Sequence, residues 1–422
     1  MLQNLIKKWW FKWLVLGLAV RVILMPITLH QDLWGHSSVA YFFSEKGILN
    51  PYEYLSNLSP DHPLVKNIGV SDVFIYPPLA YFTLGVFRIL VKPFTDPGFV
   101  PFIWSNLASV YSFPGFNWHL FLYKFPYLFF DVGLAFLLSS LFSEGNKKKL
   151  VFILWMLNPV TLYTTFMIGQ LDLLPTFFTV LSLVLAKKGK FAWSMISLGV
   201  GGSYKIFPLL FVPVAAFVFG KNFKEKVMYL LFGLAPFILV TLPYITSLAY
   251  REMVLFSPKN QKMLFMNLPV SGAEGIFTFV FILTLIYFYS YYTKKVINLG
   301  VYFLTILLLI FSVTHYHPQW FLWVTPFLFW ELSESNFKHG ILVLTLFLAW
   351  LAITLFFETS LTIGLFSPLN ASLRDLRNLP GLSEVLSRYT DVFRLKSLIR
   401  SVFAAASLFY IYRLYKLRGV VK

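Results

Sequence analysis

The chain contains no cysteine. That excludes disulfides, thiolate metal sites and cysteine nucleophiles, and it leaves the redox compartment open. Charge is scarce too: Asp, Glu, Lys and Arg make up 13% of 422 residues, about half the share usual in soluble domains. Acidic residues are the scarcest, 18 against 35 basic ones. No Gly-rich phosphate loop of either familiar kind occurs, so a nucleotide-binding core is not expected. No stretch is polar enough for a soluble domain, and neither an internal repeat nor a low-complexity linker divides the chain.

What fills the chain instead is apolar: 58% hydrophobic and 20% aromatic residues. A membrane span needs about 20 apolar residues. Candidate spans run near 13–29, 119–142, 150–168, 172–186, 191–205, 206–220, 227–249, 273–293, 297–314, 320–332, 339–357 and 397–415. The pattern predicts an all-α, polytopic integral membrane protein with about 12 spans, forming one transmembrane domain over residues 1–422. The first run follows Lys7, Lys8 and Lys12, lacks a small-residue cleavage site and reads as an uncleaved span.

A net charge of +17 would suggest nucleic acid in a soluble protein. Here the basic residues fall in short clusters between apolar runs, at Lys147–Lys149, Lys187–Lys188, Lys221–Lys226 and Lys294–Lys295. The positive-inside rule makes these cytoplasmic loops, and no nucleic-acid partner is expected. The run at 73–93 decides the remaining topology. If it crossed, those clusters would move outside, so it is expected to lie along the interface, as Arg88 and Lys92 within it also suggest. Both termini are then cytoplasmic. Residues 30–118 form a long external loop with interfacial helices, and 358–396 form a second one.

Polar residues collect on that external side. Asp32 stands where span one leaves the membrane, in His30-Gln31-Asp32-Leu33-Trp34-Gly35-His36. Partial desolvation beside Trp34 would make it a useful base toward a hydroxyl, and capping the next helix is the plainer role. Asp172, after Gln170, opens another helix and has the same two readings. Lys205 is a lone cation at an external hairpin tip, suited to a phosphate or to ordinary lipid headgroups. His315 and His317, two residues apart, can hold a metal, but no further ligand is suitably spaced. Substrate hydrogen bonding with Gln319, or an interface turn with Trp320 and Trp323 in the aromatic belt, are the other readings. No cofactor is expected. Arg21 and Asp131 lie within spans, where a charge needs a partner, and they are expected to pair; Lys124 precedes Asp131 in the same span.

In this order the residues resemble the GT-C superfamily of membrane glycosyltransferases, which use polyprenyl-phosphate-linked sugars. The nearest likeness is to the first mannosyltransferase of glycosylphosphatidylinositol assembly and its bacterial relatives. It rests on Arg21-Val22, Asp32, Gly47 with Pro51-Tyr52, Tyr76-Pro77-Pro78-Leu79, Lys124 with Asp131, Trp155 to Pro159, Gly169 to Asp172, Tyr204 to Pro208 and Gln319 to Trp323, covering about residues 15–330. The eukaryotic enzymes carry an Asp-x-Asp pair where this chain has Asp32 alone.

The resemblance implies an inverting sugar transfer, with mannose the expected sugar, from a polyprenyl-phosphate donor to a lipid or glycan acceptor. Asp32 would be the base, and Lys205, Arg88 and Arg251 would hold the donor phosphate. His30, His36, Tyr76, Gln170, Asp172, His315, His317 and Gln319 would line the substrates. The membrane would be the plasma membrane of a prokaryote or the endoplasmic reticulum. Two rivals remain: a transporter or lipid flippase, kept open by Gly199, Gly201 and Gly202, and a non-catalytic assembly subunit.

Overall fold

The computed structural model describes residues 7–69, 73–293, 298–374 and 381–418. Lys294–Lys295 and both chain ends, on which part of the side assignment rests, lie outside the described residues. Nearly every element is a helix, as the apolar runs predict. The strands among the described residues form one antiparallel hairpin, Asn267–Ser271 with Glu274–Phe277. It takes the first residues of the run expected to span at 273–293, whose helix begins only at Thr278. The cause is local: Gly272, at φ +50°, reverses the chain between two exposed strands.

Three helical stretches are long and apolar enough to cross a bilayer: Phe116–Ser140, Gly145–Met167 and Phe223–Tyr244. A fourth results if Phe11–Ile27 and Asp32–Lys46, bent by 87°, are taken together. Six further apolar helices, among them Leu173–Lys187, Phe191–Gly202 and Gly340–Leu355, have 10–17 residues. Proline and Asn-Pro breaks shorten several runs. Asn158 accepts from the Val160 N–H, Pro159 starts the next turn, and a π-helix Leu162–Met167 follows. The run at 73–93 yields a helix of 14 residues, Pro78–Val91, which packs so closely on Asp32–Lys46 that Gly85 leaves no room for a Cβ beside the Phe43 ring.

Helix Leu299–Val313 is apolar all round and is buried at every residue but Ser312, so it lies at the centre of the packing. Helix Phe223–Thr241 is the opposite: only Gly233 and Thr241 are buried, while Phe223, Leu231 and Leu239 are exposed. Apolar surface of that extent marks a membrane or protein contact. The glycines at 199, 201 and 202 do not break a helix. Phe191–Gly202 is continuous, and a Cβ at Gly199 would lie 2.3 Å from the Gly233 carbonyl, so close helix packing accounts for it.

Candidate functional site

A sharp bend and two hairpins bring the polar residues together. The chain turns by 87° between Ile27 and Asp32. After the π-helix, Gly169 adopts φ +85°, where a side chain would be strained, and this turn directs Gln170 and Asp172 inward. Lys205 follows helix Phe191–Gly202, and residues 315–323 complete the enclosure. The result is a cavity of about 460 Å³, lined on its polar side by His30, Asp32, Tyr76, Lys205, His315, His317 and Gln319. Phe207, Leu210, Val254, Trp320 and Trp323 supply apolar wall.

Asp32 is the first residue of its helix, yet its side chain makes no capping bond, so the capping role is not the one it plays. Its Oδ2 accepts instead from the Gln170 side-chain amide, and its Oδ1 lies 3.6 Å from His30 Nδ1. Gln170 is fully buried, and its carbonyl oxygen accepts from the Tyr76 hydroxyl at 3.2 Å. The Tyr76 main-chain carbonyl in turn accepts from the Tyr52 hydroxyl at 2.7 Å. This chain of bonds fixes the Gln170 amide, which fixes the carboxylate. The Asp32 side chain is 47% exposed, so the desolvation expected at a membrane exit is not found.

Asp172 and Lys205 also depart from expectation. Asp172 makes no cap. Its Oδ1 accepts from Lys205 Nζ at 2.8 Å and from the Trp323 indole N–H at 2.5 Å. Lys205 is therefore not a lone cation, but it is 17% exposed and faces the cavity, with its ammonium 5.5 Å from the Tyr76 ring centre and 5.1 Å from that of Trp323. An aromatic belt is one of the places the sequence allows for Trp323. The side chain is buried, stacked on Phe207 and spent on this carboxylate.

Burial pushes His317 down to about 3; Asp32 opposes this, and Lys205 reinforces it. His30 is lowered by burial as well, against Asp32 and Glu358. His30 Nδ1 accepts from the Asp32 N–H at 3.3 Å, whereas His317 Nδ1 is buried without a partner. The Gln319 side-chain oxygen is buried on the cavity without a partner. His36 does not line the cavity; it is buried behind Tyr76, at 5.7 Å between ring centres.

Two expected phosphate ligands stand elsewhere. Arg88 is buried, donates to the Tyr123 hydroxyl at 2.9 Å and lies 3.7 Å from Glu45. Arg251 donates to the carbonyls of Ile245 and Thr246 in its own turn. Lys259, Lys262 and Glu358 line the cavity instead and were missed, because they come from loops without a motif or period. Arg21 and Asp131, the two charges expected to pair, do so. Arg21 donates to Asp131 at 2.5 Å, and Lys124 donates to the carbonyls of Met25, Thr28 and Met167. Among the described residues no three His, Asp or Glu side chains gather as a metal site. Compared with protein-family models, curated proteins and solved structures, the chain matches none.

Proposed function

We propose that the chain is a polytopic membrane glycosyltransferase of about 12 spans that moves a sugar from a polyprenyl phosphate to an acceptor hydroxyl, with inversion. The observation that carries this reading is that one cavity is lined by both a held carboxylate, Asp32, and a held ammonium, Lys205, beside an apolar wall. A base and a phosphate-binding cation are what the transfer requires, and an apolar wall suits an isoprenoid tail.

In the proposed step the acceptor oxygen attacks the anomeric carbon while its proton passes to the Asp32 carboxylate. The bond from that carbon to the phosphate oxygen breaks, and the polyprenyl phosphate leaves with the electron pair. Lys205, with Lys259 and Lys262, stabilises the charge that grows on the phosphate. Gln170 and Tyr76 hold the base in place, and Asp172 holds Lys205 directed by accepting from its ammonium. Lys259 and Lys262 take the role that Arg88 and Arg251 were expected to have. Mannose is the proposed sugar, on the resemblance. A carrier reading has no observation of its own, since packing explains the glycines that suggested it.

The test is transfer of radiolabelled mannose from polyprenyl-phosphate-mannose to acceptors in a lipid extract, comparing wild type with Asp32→Asn. Loss of a general base should slow transfer by about 10²–10⁴-fold. The thermal midpoint should change little, because Asp32 is half exposed. Transfer at the wild-type rate in Asp32→Asn would remove the base and, with it, the mechanism.

A further inference from the structure

A second cavity, of about 520 Å³, adjoins the first and shares His315 and Glu358 with it. Its polar lining is Thr314, His315, Tyr316, Lys396, Ser397 and Arg400, with Glu358 its one carboxylate, and Ile353, Phe356 and Phe357 are its apolar wall. The proposed transfer reaction uses none of its cations.

Arg400 lies on the long helix Val392–Arg418 and is held from two directions. Its Nη2 donates to the Thr314 carbonyl at 2.6 Å, and the guanidinium lies 5.4 Å from the Tyr316 ring centre and 5.5 Å from that of Phe403. Its Nη1 is buried with no partner, and so is the hydroxyl of Tyr316, a residue only 6% exposed. Lys396 lies one turn earlier on the same helix, its ammonium 5.9 Å from the Phe356 ring centre. Neither cation forms an ion pair with a carboxylate among the described residues, although Glu358 lines the same space. On the transfer reading Arg400 sits within a membrane span, where a cation without a counter-charge is costly. Two unpaired donors and a fixed guanidinium in one cavity call for an anion.

We propose that this cavity binds a phosphate group, with Arg400 and Lys396 as cationic clamp and the Tyr316 hydroxyl as a third donor. A planar guanidinium meets phosphate oxygens through two parallel N–H donors, and Lys396 adds a point charge. The phosphate belongs either to a lipid headgroup, whose chains would meet Ile353 and Phe357, or to free phosphate. The enclosure is too small for a nucleic acid. Burial lowers the basicity of His315, and the neighbouring Lys262 and Arg400 lower it further. The assignment stands whether or not the chain transfers a sugar.

Binding of dihexanoyl phosphatidic acid, dihexanoyl phosphatidylcholine and inorganic phosphate to the purified full chain tests it, by calorimetry in detergent. Measuring in a Lys205→Gln background separates this cavity from the first. The phosphatidic acid should bind more tightly than the choline lipid, and Arg400→Gln should weaken it by about tenfold to a hundredfold, the scale of a charge-assisted hydrogen bond. Competition by inorganic phosphate would identify free phosphate as a sufficient ligand; its failure to compete would identify the lipid headgroup. If Arg400→Gln does not fold, Lys396→Gln should still lose about tenfold. Unchanged affinity in the variants that fold, or no preference for phosphatidic acid over the choline lipid, would overturn the proposal.

Discussion

Two buried carboxylates in this protein have the same kinds of partner and different fates. Asp131 accepts from Arg21 at 2.5 Å and from the Trp155 indole N–H at 2.9 Å. Asp172 accepts from Lys205 at 2.8 Å and from the Trp323 indole N–H at 2.5 Å. The difference lies on the far side of each cation. Arg21 continues into protein, donating to the carbonyls of Gly17 and Met156, and is fully buried. Lys205 continues into a cavity, and Asp172 Oδ2 has no partner. One trio is a strut that ties Phe11–Ile27 to Tyr127–Ser140. The other has the same chemistry with one wall removed, and that opening makes it able to receive a ligand.

Breaking the closed trio should have the largest effect. Arg21→Met leaves Asp131 buried and uncompensated, a loss of about 3–5 kcal/mol. It should appear as a large drop in thermal midpoint or as failure to accumulate folded protein. Adding Asp131→Leu should recover most of the loss, because two apolar groups need no partner. Lys205→Met is expected to be milder in stability, on the order of 1–2 kcal/mol, since Asp172 keeps its indole bond. Its effect should fall on transfer from the polyprenyl-phosphate donor, which the radiolabel assay reads directly. Equal destabilisation by the two substitutions, with transfer preserved in Lys205→Met, would erase the distinction between strut and site.

The strut was legible in sequence and the site only in part, for a physical reason. A charge inside an apolar run has few possible partners, so Arg21 and Asp131 could be matched from the sequence alone. Helix positions were legible from the same runs. Asp32 and Lys205 were legible as polar residues at the ends of runs, but their partners were not. Gln170 reaches Asp32 from 138 residues away, and only the turn at Gly169 makes that approach possible. Trp323 looked like a belt residue, because nothing in one chain tells an indole turned to lipid from one turned to a carboxylate. Arg88 misled in the same way. It lies in a stretch expected at the interface, yet Glu45 and Tyr123 occupy it, and helix packing rather than local pattern decides that pairing. The hairpin at 267–277 straddles an expected loop and the start of an apolar run, where period alone cannot separate strand from helix.

The comparison is sharpened further by pH dependence in the open region. Burial holds His317 at about 3 in the folded protein, against 6.5 for the free side chain. Between those values the unfolded chain binds a proton that the folded chain refuses, so stability must fall as pH drops from about 6.5 toward 3. Above that window the group is neutral in both states and contributes no slope. His30, lowered by burial too, adds in the same direction. The closed trio contains no histidine: Arg21 and Trp155 do not titrate in this window. His317→Gln should therefore flatten the fall in thermal midpoint between pH 7.5 and pH 4.5. A slope unchanged by the substitution would mean that acid acts elsewhere, and the cavity would lose its claim to be the pH-sensitive half of the pair.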